Sequence, residues 1–128
     1  MNRAAFFLVT AVVEIGTGLF MVILPGVPLS LLLGISSSAP ETIIIARVAG
    51  AALFAIGVAS AMARHDRGSP ALRGVLAGIL IYDAAAAALL AYAGAGMQMA
   101  GPALWPAVML HAVLAVWCLL GLRSEPAP

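Results

Sequence analysis

The sequence predicts an all-α membrane protein: an up-down bundle of four transmembrane helices with an interfacial apolar segment after the first. Three observations predict it. Hydrophobic residues make up 64% of the 128 positions and charged residues only 9%, with a mean hydropathy of +1.14. A soluble domain carries about 25% charged residues, so a water-facing surface cannot be built from this inventory. Proline and glycine punctuation divides the chain into four apolar stretches, each close to the ~20 residues that cross ~30 Å of hydrocarbon. Each stretch also holds one ionisable residue in its interior: Glu14, Arg47, Asp83 or His111.

The whole chain, 1–128, reads as a single transmembrane domain with spans at 4–24, 41–64, 71–94 and 102–122. Met1-Asn2-Arg3 followed by Ala4 to Val13 resembles the start of a signal peptide. Glu14 interrupts the apolar core, and no small-residue cleavage site follows before Pro25, so the segment reads as an uncleaved first span. Pro25-Gly26-Val27-Pro28 stops it. Leu29 to Ile35 is apolar but too short to cross a bilayer, which makes it an interfacial turn of helix or a continuation of span one beyond a proline kink. Ser38-Ala39-Pro40-Glu41 fits a capping box for span two, with Ser38 as N-cap and Glu41 reaching back. Ser69-Pro70 opens span three, which ends near Gly94-Ala95-Gly96; Gly101-Pro102 opens span four. Pro106 falls in the first turns of that span, where a missing backbone donor is tolerated best. Trp105 and Trp117 fit interfacial anchors.

Arg3, Arg64, Arg67, Arg73 and Arg123 all fall on the side holding both termini and the loop between spans two and three. The opposite side has Glu41 and no basic residue outside a span. This bias predicts an inner-membrane, multi-pass protein with both termini cytoplasmic. Small residues recur at helical spacing, as Ala51, Ala55, Ala59 and Ala63, Ala46 with Gly50, and Gly74 with Gly78. Such rows let helix backbones approach closely, and they predict bundle seams, with a homo-oligomer face as the alternative.

A net charge of +1 gives no reason to expect a nucleic-acid partner. The lone Cys118 excludes an intrachain disulfide and a Cys-rich metal site. Haem ligation by His111 lacks a second axial ligand, since His65 lies at the membrane edge. Two histidines without a cysteine cluster give no zinc motif, although carboxylates with His111 could form a site. There is no phosphate loop, nucleophile elbow or zincin motif, and no cofactor or metal is expected.

A charge at the bilayer centre costs several kcal/mol unless it is paired or faces water, and such residues mark functional sites. At about 1.5 Å of rise per residue, Glu14, Asp83 and His111 each lie about 15–16 Å from the same end of the bundle. Arg47 sits about 25 Å from that end; its long side chain either reaches down to a carboxylate or snorkels to the far interface. Thr10, Glu14, Thr17 and Met21 form the polar stripe of span one. On span two, Gly50 and Gly57 leave open space beside Arg47, while Tyr82 points about 100° away from Asp83, toward the edge of a shared site. With His111 neutral, Glu14, Arg47 and Asp83 leave one uncompensated negative charge, so protonating either His111 or one carboxylate neutralises the cluster.

Ala11-Val12-Val13-Glu14-Ile15-Gly16-Thr17, in a four-span chain of this length, resembles the first helix of small multidrug resistance transporters. That resemblance implies that Glu14 binds protons and cationic drugs competitively. It is confined to this stretch. Span three lacks the family's tryptophan- and glycine-containing pattern, and Arg47, Asp83 and His111 are additional ionisable groups. The span-one proline stop, the run from Arg47 to Ala52, and Trp105 to Val108 with His111 resemble small, uncharacterised bacterial four-span proteins. That likeness implies the architecture and no activity. The expected function is binding of a lipophilic or cationic small ligand at Glu14, Arg47, Asp83 and His111, flanked by Thr10, Thr17 and Tyr82, with linked protonation and transport in an oligomer. The alternatives are an intramembrane acid–base enzyme, or an accessory or scaffold subunit of a larger complex with a structural cluster.

Overall fold

The computed structural model describes residues 2–36, 39–66 and 68–123. Five helices run through them: α1 (Arg3–Ile23), α2 (Gly26–Leu33), α3 (Pro40–Ala63), α4 (Pro70–Ala95) and α5 (Leu104–Arg123). No strand occurs among the described residues. All but α2 are long and apolar enough to cross a membrane, and each begins and ends within two residues of the span expected from hydropathy.

Local chemistry sets the helix ends. The Asn2 side chain accepts from Ala5 N–H at 3.1 Å and starts α1, and Ser69 caps α4 by accepting from Leu72 N–H at 3.2 Å. The expected capping box on α3 takes another form. The N-cap is Ala39, which has no side-chain acceptor, and Ser38 lies outside the described residues, as does Arg67. Pro40 fixes the first turn instead. The proline cluster after span one does more than stop a helix: Pro25 is the N-cap of α2 and Pro28 sits in its first turn, where its absent N–H costs nothing. The apolar segment is thus a separate eight-residue helix, beginning a turn earlier than Leu29, and not an extension of α1.

The four long helices alternate in direction, so Arg3, Ala63, Pro70 and Arg123 share one end. They associate as two intimate antiparallel pairs, α1 with α3 and α4 with α5, which meet each other more sparingly. Glycine makes the first pair. A Cβ on Gly18 would stand 2.5 Å from Phe54 N and 2.6 Å from Gly50 O; one on Gly50 would stand 2.7 Å from Met21 Cβ; one on Gly57, 2.7 Å from Ile15 N. Backbone therefore meets backbone, the geometry that drives association where lipid removes any hydrophobic incentive. The buried row on α3 is Ala46, Gly50, Leu53, Gly57 and Ser60. Ala51, Ala55 and Ala59 face outward, as do Gly74 and Gly78, against the expectation that these rows are bundle seams, and only Ala63 of the alanine row packs on the core. Two rows of small residues compete on α3, and the one that contains two glycines permits the closer approach.

Between the pairs, nearest the terminal end, Phe6, Phe7, Leu72, Leu76, Ile79, Leu114 and Cys118 form a continuous core. Phe6 meets Phe7 and Trp117 edge-on, with ring centroids 5.5 Å apart in both cases, so Trp117 packs on the core as well as marking a helix end. Cys118 donates its S–H to Leu76 O at 3.1 Å. At the far end, Ala103 N–H donates to Leu31 O at 2.8 Å, and α2 lies on the turn before α5. Gly34, at φ +69°, and Gly101 allow that contact, because a Cβ on Gly34 would stand 3.1 Å from Ala100 O and one on Gly101 would overlap the Leu31 carbonyl.

Candidate functional site

Immediately beyond the Phe6–Cys118 core, the two helix pairs meet through ionisable side chains. Glu14 comes from α1, Asp83 from α4 and His111 from α5. Each directs one donor atom to a common point, and these atoms lie within 4.8 Å of one another. Glu14 and Asp83 are buried, at 2% and 0% exposure. His111 Nδ1 lies 2.8 Å from Asp83 Oδ1, and the imidazole is 12% exposed. The depth estimate from helical rise thus brings together three of the four residues expected to share a site.

Arg47 is the fourth, and it is elsewhere. It is exposed on the outer side of α3, with no hydrogen bond or ion pair to any described residue. The physical reason is the glycine seam. Burying Ala46, Gly50 and Gly57 against α1 turns Arg47, one residue on from Ala46, outward. The space expected beside it at Gly50 is filled by Met21 and the Gly18 carbonyl.

The supporting residues divide similarly. Thr10, one turn before Glu14 on the same face, is 1% exposed, and its hydroxyl has no hydrogen-bond partner. Thr17 is half-buried and lines a recess of about 360 Å³ with Gly16, Phe20, Pro28, Leu31, Leu32 and Ala103, toward α2. Tyr82 stands edge-on to the His111 ring with centroids 5.5 Å apart, walling the imidazole from one side. Sequence reasoning gave no hint of the unsatisfied atoms: Asp83 Oδ2, like Thr10 Oγ1, is buried without a partner. Only packing reveals such orphans.

With Arg47 outside, the electrostatics become more demanding than four residues suggested. Glu14 and Asp83 carry two negative charges when ionised, and His111 offers at most one positive charge in return. Uncompensated charge in a low-dielectric interior is costly. Compared with known protein families, curated proteins and solved structures, the chain matches none.

Proposed function

We propose that this membrane protein binds a small, positively charged ligand at Glu14, Asp83 and His111, with protons as the competing occupants. The observation that supports this most is two buried carboxylates converging on one imidazole with no permanent cation among them. Proton-linked exchange follows from charge balance, since a cation can enter only as protons leave. The trio lies between two helix pairs, and relative movement of those pairs gives a ligand a route in or out; in an oligomer this becomes transport. Four transmembrane helices in a single domain, with both termini on the cytoplasmic side of a bacterial inner membrane, complete this reading; the arginine bias supports the orientation.

The decisive experiment is native mass spectrometry of protein gently extracted from its host membrane, wild type beside Glu14→Gln. A stoichiometric adduct in wild type alone supports the proposal. Identical, adduct-free spectra overturn it.

One observation favours a second reading, an accessory subunit of a larger complex. Arg47 is a charged side chain on an outward face within a membrane-length helix, and a carboxylate from another chain would satisfy it. Co-purification of a partner that is lost with Arg47→Ala tests that reading.

A further inference from the structure

We infer that the ligand bound by the trio is a divalent first-row transition-metal cation, held by the Glu14 and Asp83 carboxylates and the His111 imidazole. This rests on the ligand-site reading above and names its occupant. Geometry comes first. Three donor atoms from three different helices lie within 4.8 Å of one another. Metal–oxygen and metal–nitrogen bonds of about 2.0–2.2 Å are reached from that arrangement by side-chain movements below about 1 Å.

The orphaned oxygen is independent of that spacing. Asp83 is fully buried and spends Oδ1 on His111, yet Oδ2 has no donor within reach among the described residues. Buried carboxylate oxygens are nearly always satisfied, and an unsatisfied one calls for an explanation such as an ion. Thr10 Oγ1 presents the same deficit on the Glu14 face, where a hydroxyl can hydrogen-bond a metal-held carboxylate or water.

Charge selects the valence. A dication with a neutral imidazole brings the trio to zero, whereas a monovalent ion leaves one negative charge in hydrocarbon. Donor type selects the metal. Calcium takes six to eight oxygens, more than this site supplies, and magnesium seeks oxygen with retained water. An imidazole nitrogen beside two carboxylates suits zinc, manganese, iron or cobalt, and three protein donors leave a position open for water or another ligand.

The test uses the full chain in lipid nanodiscs, stripped with chelator and titrated with Zn²⁺ and Co²⁺. The expected result is one ion per chain, a visible Co²⁺ ligand-field spectrum, and no displacement by excess Mg²⁺ or Ca²⁺. Glu14→Gln and Asp83→Asn each weaken Zn²⁺ binding by at least about tenfold, since loss of even an indirect metal partner costs that much, whereas Arg47→Ala leaves it unchanged. Wild type that takes up no stoichiometric ion, or Glu14→Gln that binds as tightly, overturns the inference. If a variant does not reach the native fold, zinc-edge X-ray absorption on wild type decides. One imidazole among oxygen donors supports the site; an all-oxygen or sulfur-containing sphere sinks it. Mass spectrometry of the same preparation separates the two levels. An organic adduct lost in Glu14→Gln removes the metal and keeps the ligand site, while no adduct and no ion removes both.

Discussion

His111 Nδ1 and Asp83 Oδ1 stand 2.8 Å apart across the α4–α5 interface, in a place where neither side chain has another partner at that distance among the described residues. The bond fixes the ring and spends one carboxylate oxygen, and each partner is buried on the other's account. Removing one side therefore differs sharply from removing both.

His111→Ala strands the Asp83 carboxylate and is expected to destabilise the bundle by about 3–5 kcal/mol, the usual cost of breaking a buried pair from one side. The double replacement Asp83→Leu with His111→Leu substitutes packing for the pair and costs far less. Reversible unfolding in mixed micelles, followed by far-ultraviolet circular dichroism, measures both. Equal losses for the single and double variants would refute the pairing argument.

Glycines on the two sides of the bundle separate by context. Gly18→Ala forces a methyl group to 2.5 Å from backbone and Gly50→Ala to 2.7 Å from Met21 Cβ and 2.8 Å from Gly18 O, and both are expected to cost at least about 1–3 kcal/mol. Gly74→Ala and Gly78→Ala meet open space and are neutral or stabilising by up to about 1 kcal/mol through helix propensity. Thermal unfolding of the four variants ranks them.

The α3–α4 turn carries a pH-sensitive cap. Asp66 accepts from the Ser69 hydroxyl at 2.6 Å and from the Ser69 and Gly68 N–H groups at 2.9 Å, and the same hydroxyl accepts from Leu72 N–H. These bonds, the Ser69 hydroxyl foremost, hold the exposed Asp66 carboxyl below its ordinary value. A lowered value means the stabilisation is full above the unfolded-state pKa of about 3.9 and is lost as pH falls through the lower folded value. Hydrogen-exchange protection at Gly68, Ser69 and Leu72, taken against the intrinsic exchange rate at each pH, is expected to fall on acidification, and Ser69→Ala flattens that dependence.

Arg47→Gln is expected to leave the unfolding free energy within about 0.5 kcal/mol, as for a surface change away from packing or pairs. The same unfolding assay checks it. A loss as large as that of His111→Ala would place the guanidinium inside the network after all.

The architecture was legible because hydropathy and proline position report length and ends directly. Depth was legible too: counting residues from the helix ends brought Glu14, Asp83 and His111 level. Facing was harder. On α3, apolar all round, no polar stripe distinguishes the side of Arg47 from the side of Ala46, and both carry small residues at helical spacing. The choice between them is made by contact distances at Gly18, Gly50 and Gly57, which a linear pattern does not contain. The orphaned Asp83 oxygen was invisible for the same reason.

The division into two helix pairs has a consequence for synthesis. Glu14 lies in the first helix, whereas His111 is 97 residues further along. At about 5–20 residues per second, roughly 5–20 s separate their appearance. The α1–α3 pair can close on its glycines during that interval, but the carboxyl of Glu14 meets the His111 imidazole only when the last helix inserts. The nascent chain must shelter an acidic side chain in the membrane until then, and the final helix completes the bundle and the polar site in one event.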